Sequence, residues 1–293
     1  MTITVIGLGL IGGSMALDLR KSGYASRFIG VDINREHCEK AVELGIVDET
    51  MDLVLGVQAA DLVILAIPVN AMRFLMQPIL DNLQEKAILI DVGSTKSGVC
   101  EAAKNHRNRP NFVACHPLAG TENTGPEAAL YELFKGKVNI ICEPDLSYRW
   151  AVEKIDRLFA ETLKMRNTYM NPIEHDRHIA YVSHLSHISS FTLGLTVLEI
   201  EKNEKHIFNM ASTGFASTVR LAKSSSKMWT PIFQENAPNI SAALEEYINQ
   251  LQQFKDMIDK GEFEAVHERI EEANDIGRIL KGIELKKIAF HGE

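Results

Sequence analysis

At 293 residues the chain is long enough for two domains that each bury a core, and 45% apolar with 24% charged residues is the composition of a soluble globular protein. A formal charge of −8 argues against a general nucleic-acid binder, which needs a basic face, but not against a small anionic substrate held by two or three local cations. Cys38, Cys100, Cys115 and Cys142 are scattered, which disfavours a disulfide framework or zinc knuckle and points to reduced thiols. No apolar run reaches the roughly 18 residues of a membrane span. The opening "MTITVIGLGL" enters a strand without a basic leader, so a cytoplasmic protein with no membrane partner is expected.

In chain order, residues 2–7, 27–32, 61–67, 87–92, 111–116, 137–142 and 164–169 read as strands. Several are nearly continuous Val, Ile and Leu, as strands buried on both faces of a parallel sheet must be. Helical stretches at 11–22, 35–44, 70–83 and 147–163 alternate with them. That rhythm predicts an α/β fold: an N-terminal Rossmann-type doubly wound sheet over 1–170, followed by an all-α domain over 171–293. In the second part, 173–203 reads as one long helix with Ile179, Val182, Leu185 and Ile188 on its apolar stripe, and 204–229, 236–259 and 262–286 as further helices.

The first strand runs into "VIGLGLIGGS", which sets Gly7, Gly9 and Gly12 in G-x-G-x-x-G spacing. Gly7 permits the tight turn, Gly9 lets a pyrophosphate approach the backbone, and Gly12 lets helix and strand pack closely. Leu10 and Ile11 open the helix whose N-terminus faces that charge. Asp32 ends the second strand, where an acid binds the adenosine ribose and repels a 2′-phosphate, so NAD is expected over NADP despite nearby Arg35. "LAIPV" looks like the loop crossing over the cofactor, with Pro68 fixing its turn. A tight turn beside a solvated acid is the bland alternative.

His116, closing the strand "NFVACH", admits three readings: base, metal ligand or turn residue. Its place at the carboxyl end of a strand is where ligands of doubly wound folds bind, and an imidazole can take the proton of an alcohol being oxidised. His184 and His187 lie three apart on a helix and share a face. The histidines at 175, 178, 184 and 187 also invite a metal reading, but structural zinc needs four ligands and hydride transfer to NAD needs none.

Four blocks, "GLGLIGGS", "DVGSTKSGV", "HPLAGTENTG" with "EHDRHIAYVSHLSH", and "GFASTVRLAKSSSKMW", resemble the prephenate/arogenate dehydrogenase family in the family's order and span residues 7–229. The resemblance implies an NAD-dependent oxidative decarboxylation of a cyclohexadienol on the route to tyrosine, with prephenate fitting better than arogenate. It makes His116 the base, Asp176 the anion that fixes its tautomer, and Ser94 a serine that hydrogen-bonds the histidine, lies by the cofactor and touches the reacting hydroxyl. It also makes Arg220 the carboxylate clamp, aided by Gly214, with His187 near the substrate side chain and Glu122 gating the pocket by pairing with Arg220. His184 reads equally well as a core histidine, and Trp229 as core or pocket lining. The last block departs from the family in lacking an acidic or Asp-Pro element before Met-Trp. With no room seen for a C-terminal regulatory domain, tyrosine feedback would act at the active site.

Family precedent implies a homodimer through the helical domain. The stripe Tyr247, Leu251, Phe254 and Ile258 supports it only weakly, since such stripes usually pack within one chain. A β-hydroxyacid dehydrogenase shares this architecture, but its G-x-x-x-K-x-x-N pattern is absent from 171–203. A non-catalytic NAD sensor would keep the glycine loop without needing the set His116, Asp176 and Arg220.

Overall fold

A computed structural model describes residues 1–202, 204 and 207–289, with side chains described through 282. Its centre is one sheet of eight strands: β1 (Thr2–Ile6), β2 (Arg27–Val31), β3 (Glu49–Thr50), β4 (Leu62–Leu65), β5 (Ile88–Asp91), β6 (Phe112–Pro117), β7 (Val138–Cys142) and β8 (Arg166–Met170). They lie in the order β3-β2-β1-β4-β5-β6-β7-β8. All pairings are parallel except β6 with β7, where Cys115 faces Ile141 and His116 faces Ile140. The order reverses between β1 and β4, so their carboxyl ends diverge and leave the crevice where such sheets bind ligands.

Helices α1 (Leu10–Lys21), α2 (Arg35–Glu43), α3 (Leu53–Gln58), α4 (Val69–Asn82), α5 (Ser97–Ala103) and α6 (Arg149–Arg157) connect these strands. Because strand side chains alternate, each strand feeds two cores. Ile3, Val5, Ile64 and Ile90 join Met15, Phe134 and Phe159 on one face. Ile6, Val63, Leu65 and Leu89 join Met72, Met76 and Ile79 on the other. The two-residue β3 and the short α3 had no strong periodic signal and were not expected.

Beyond the sheet follow α7 (Pro172–Ile179), α8 (Leu185–Glu201), α9 (Thr213–Thr218), α10 (Ser226–Glu235), α11 (Ala237–Lys260) and α12 (Phe263–Ala289). Two compact units result, Met1–Ile240 and Ser241–Glu293. The helices from α7 to α10 thus belong with the sheet, and Trp229 and Ile232 of α10 enter its second core.

Two expected helices are corrected. The single helix over 173–203 is interrupted by a π-helical turn at Ala180–His184, which breaks the 3.6-residue register, and Val182 of the expected apolar stripe is exposed. Its expected end at 203 lies outside the described residues. The expected helix over 204–229 is instead a 3₁₀ turn at Ile207–Met210, α9, a second 3₁₀ turn at Arg220–Lys223 and the start of α10. Serine explains the breaks: Ser212 and Ser225 adopt extended backbone as N-caps, and Ser217 and Thr218 donate side-chain hydrogen bonds back to Gly214.

Candidate active site

The glycine loop fits a dinucleotide. Gly7 has a φ of +96°, and a side chain there would strike the Ala66 carbonyl. A methyl group on Gly12 would fall 2.1 Å from the Gly7 oxygen. Over Gly9, by contrast, there is open space for at least 4 Å. Gly9 caps α1 with no side-chain acceptor, leaving the first amides of the helix to face an anion in that space. Leu10 is buried and Ile11 half-buried, so their contribution to the cradle is the backbone.

Asp32 follows β2, its carboxylate accepting hydrogen bonds from the amides of Leu8 (2.9 Å) and Asn34 (2.8 Å). It therefore joins the glycine loop to the turn before α2, with His37 3.6 Å away. Pro68 is exposed at the N-cap of α4, where β4 opens into the same edge.

His116 is the last residue but one of β6, at this edge, and is 7% exposed. Its Nδ1 lies 2.8 Å from Nε2 of His175, and Nδ1 of His175 lies 2.8 Å from Oδ1 of Asp176. Asp176 accepts two further bonds, from the amides of Lys96 (2.7 Å) and Ser97 (2.8 Å). Burial alone would lift its carboxyl, but His175 and those amides outweigh it and hold it below the ordinary carboxylate value. Burial pushes both histidines down, His116 well below its usual value, with His175 and the Lys96 cation adding to the effect on His116.

These conditions orient the protons along the chain. A carboxylate only accepts, so Nδ1 of His175 carries the hydrogen that Asp176 receives. Neutral His175 then has a lone pair on Nε2, which takes the hydrogen of His116 Nδ1. That leaves Nε2 of His116 with a free lone pair, the state a base requires.

Asp176 is expected to fix the tautomer of His116, and the structure places His175 between them, so the two are joined through that ring and not in direct contact. In the sequence His175 figures only as one histidine of a possible metal set, although its adjacency to Asp176 is a usable signal. Within that set, His175 is buried whereas His178 is exposed beside Glu174. Ser94 lies half-buried after β5 and makes no hydrogen bond to His116 among the described residues, so the expected bond between them is corrected as well.

Asn236, also unforeseen, ties the next elements to this chain. Its Nδ2 donates to the Asp176 carbonyl (2.7 Å) and lies 3.1 Å from Nδ1 of His184. His184 is 1% exposed, and burial lowers it to about 4. It packs edge-on to Trp229, which also stacks on His187 with ring centroids 3.6 Å apart. His187 donates from Nδ1 to the Ser183 carbonyl (3.0 Å) and is lowered by burial, opposed by that bond and reinforced by Arg220.

Arg220 is exposed in the 3₁₀ turn after α9, with no ion-pair partner among the described residues, and Gly214 is exposed in α9 itself. Glu122 is exposed and makes no ion pair with Arg220 among the described residues, so the expected gate is not formed here. Its loop is nonetheless anchored on α1, with the Leu130 amide donating to Ser14 Oγ (2.8 Å) and the Glu132 amide to Asp18 (2.9 Å). The arrangement can bind a dinucleotide, take a proton from an alcohol at His116, and offer Arg220 and His187 to anionic groups.

Comparison with known proteins accords with this chemistry. Residues 15–166 match the family model described as prephenate dehydrogenase, nucleotide-binding domain, and 171–272 match prephenate dehydrogenase, dimerization domain. The prephenate dehydrogenase of Bacillus subtilis is 31% identical over 280 residues, covering 94% of this chain and 74% of that protein. The crystal structure of a prephenate dehydrogenase from A. aeolicus with hydroxyphenyl propionate and NAD+ superposes with a TM-score of 0.82 at 32% identity, over 99% of this chain and 98% of that one. A Synechocystis arogenate dehydrogenase gives 0.75 at 29% identity, over 96% of this chain and all of the other.

Proposed function

The chain belongs to the prephenate dehydrogenase family, and on that premise we propose that it oxidatively decarboxylates prephenate to 4-hydroxyphenylpyruvate with His116 as the base. The observation that carries this is the ordered chain from Asp176 through His175 to His116, which ends in a free Nε2 lone pair at the carboxyl edge of the sheet. NAD, when bound on the Gly7–Gly12 loop, supplies the acceptor for the hydride leaving the carbinol carbon.

His116 takes the hydroxyl proton as that hydride leaves. The bond to the ring carboxylate then breaks and CO2 departs; its electron pair enters the ring, which becomes aromatic as the carbonyl becomes a phenolate, and that oxygen regains the proton from His116. Aromatisation makes the sequence strongly downhill. The chain is therefore asked mainly to hold the substrate and aim one nitrogen. A proton on His116 is opposed by burial, by His175 and by the Lys96 cation, so it is held only until the product oxygen takes it back. Arg220 suits a substrate carboxylate through its planar fork. His187 suits the keto-acid side chain, which lacks the ammonium of arogenate. Asp32 favours NAD over NADP by repelling a 2′-phosphate.

The same reading assigns 1–170 to dinucleotide binding and 171–293 to substrate binding and dimerisation. A homodimer through the helical part accounts for apolar side chains that one chain leaves in water: Leu195 and Leu198 on α8, and Leu251 and Ile258 on α11. Four free cysteines suit a cytoplasmic location.

The test is an absorbance assay for NADH offering prephenate and arogenate, each with NAD and NADP. Prephenate with NAD should give the highest kcat/KM. His116→Asn should cut kcat by about 10²–10⁴-fold with little change in NAD affinity. Near-normal turnover in that variant would remove His116 from the chemistry.

A further inference from the structure

Beneath the base lies an ion pair that the chemistry above does not use. Lys96 and Asp91 are both fully buried and joined through Nζ and Oδ2. Placing a lysine in a core is costly unless its charge is matched and its donors are filled. Here Nζ also donates to the Cys115 carbonyl (2.7 Å), while Asp91 accepts from the amides of Gly93 (2.9 Å) and Cys115 (3.3 Å). The pair thus holds both backbone polar groups of the residue preceding His116. Lys96 reaches the other end of the histidine chain as well, since its own amide donates to Asp176 across 80 residues of sequence.

We propose that Lys96 is a positioning residue for His116, fixing the strand end that carries the histidine through its side chain and the Asp176 anchor through its backbone. One residue then sets both ends of the distance that His175 must bridge. This rests on His116 being the base.

The buried cation adds a second effect through its charge. Burial works against the ammonium, but Asp91 beside it prevails and keeps Lys96 charged. Around His116 stand His175 of α7, with Asp176 behind it, His184 of the π-helical turn, and Lys96 at the N-cap of α5, paired with Asp91 at the end of β5. Cys100, Cys115 and Cys142 around the pair are pushed up by burial and stay neutral. Of the Lys96–Asp91 pair it is the cation that registers on His116, and it opposes protonation. A histidine kept neutral is the competent form.

Lys96→Met alone strands the Asp91 carboxylate in the core and is expected to unfold. The informative variant is therefore Asp91→Asn with Lys96→Met, which removes both charges and keeps the volume. Histidine labelled at Cε1 reports the titration of His116 by NMR, its signal assigned by its loss in His116→Asn. In the folded pair variant the His116 midpoint should rise, and kcat should fall about 10–10²-fold from lost aim. The KM for NAD should not move. An unchanged midpoint, or kcat within twofold of the parent, would overturn the proposal. That failure is distinct from failure of the base assignment, which His116→Asn tests by turnover alone.

Discussion

Lowering the pH from 7 to 5 should destabilise the fold by about 2 kcal/mol through His184 alone. Burial holds its folded-state value at about 4, against an ordinary histidine value near 6.5 in the unfolded chain. Between those two values the unfolded chain binds a proton that the folded chain refuses, so stability falls as pH falls. At about 1.4 kcal/mol per pH unit, the interval from 6.5 down to 5 accounts for the figure. His116 and His175 are shifted the same way and add to the loss. The perturbation is His184→Gln, which retains an acceptor for the Asn236 amide but cannot titrate. Urea unfolding of both proteins at equal concentration, at pH 7 and at pH 5, gives the pH increment for each. The variant is expected to be less stable at both pH values through lost packing on Trp229, yet its increment should be smaller by about 2 kcal/mol. Equal increments would show that His184 is not held neutral by burial.

The other predictions concern ligands. Arg220→Ala should raise the KM for prephenate by about 10–10²-fold with a smaller effect on kcat, the expected result of removing a charge-assisted carboxylate contact. An unchanged KM would place the substrate carboxylate elsewhere. Asp32→Ala should lower the NAD-to-NADP ratio of kcat/KM by about tenfold or more, and an unaltered ratio would mean the ribose is read by another group.

The sheet was legible because its determinants are local. Strands buried on both faces are mostly apolar and do not alternate with polar residues, and "LVIL" and the aliphatic parts of "TITVI" and "ILID" say so directly. The glycine loop was legible for a similar reason. Gly7 needs a positive φ and Gly12 a missing side chain, so the backbone's demands are printed in the residue types. Elements without such demands were missed: β3 is two residues long, and the π-helical turn in 180–184 carries no proline or glycine to announce it.

For the site, residue types narrowed the candidates while tertiary structure decided who touches whom. His116 at a strand end beside a dinucleotide loop was readable in order along the chain. That His175 rather than Asp176 meets it was not, because the contact spans 59 residues and turns on which face of α7 lies toward β6. Asn236 reaches back 60 residues to the Asp176 carbonyl, and the Lys96 amide forward 80 to its carboxylate. Sequence by itself determined the fold class and the cofactor loop, since each follows from short-range geometry or from a motif, and it singled out His116 as the candidate base only through the family resemblance. Only the folded chain decided how His116 is oriented and kept neutral, because hydrogen bonds and burial depend on distances that no local pattern encodes.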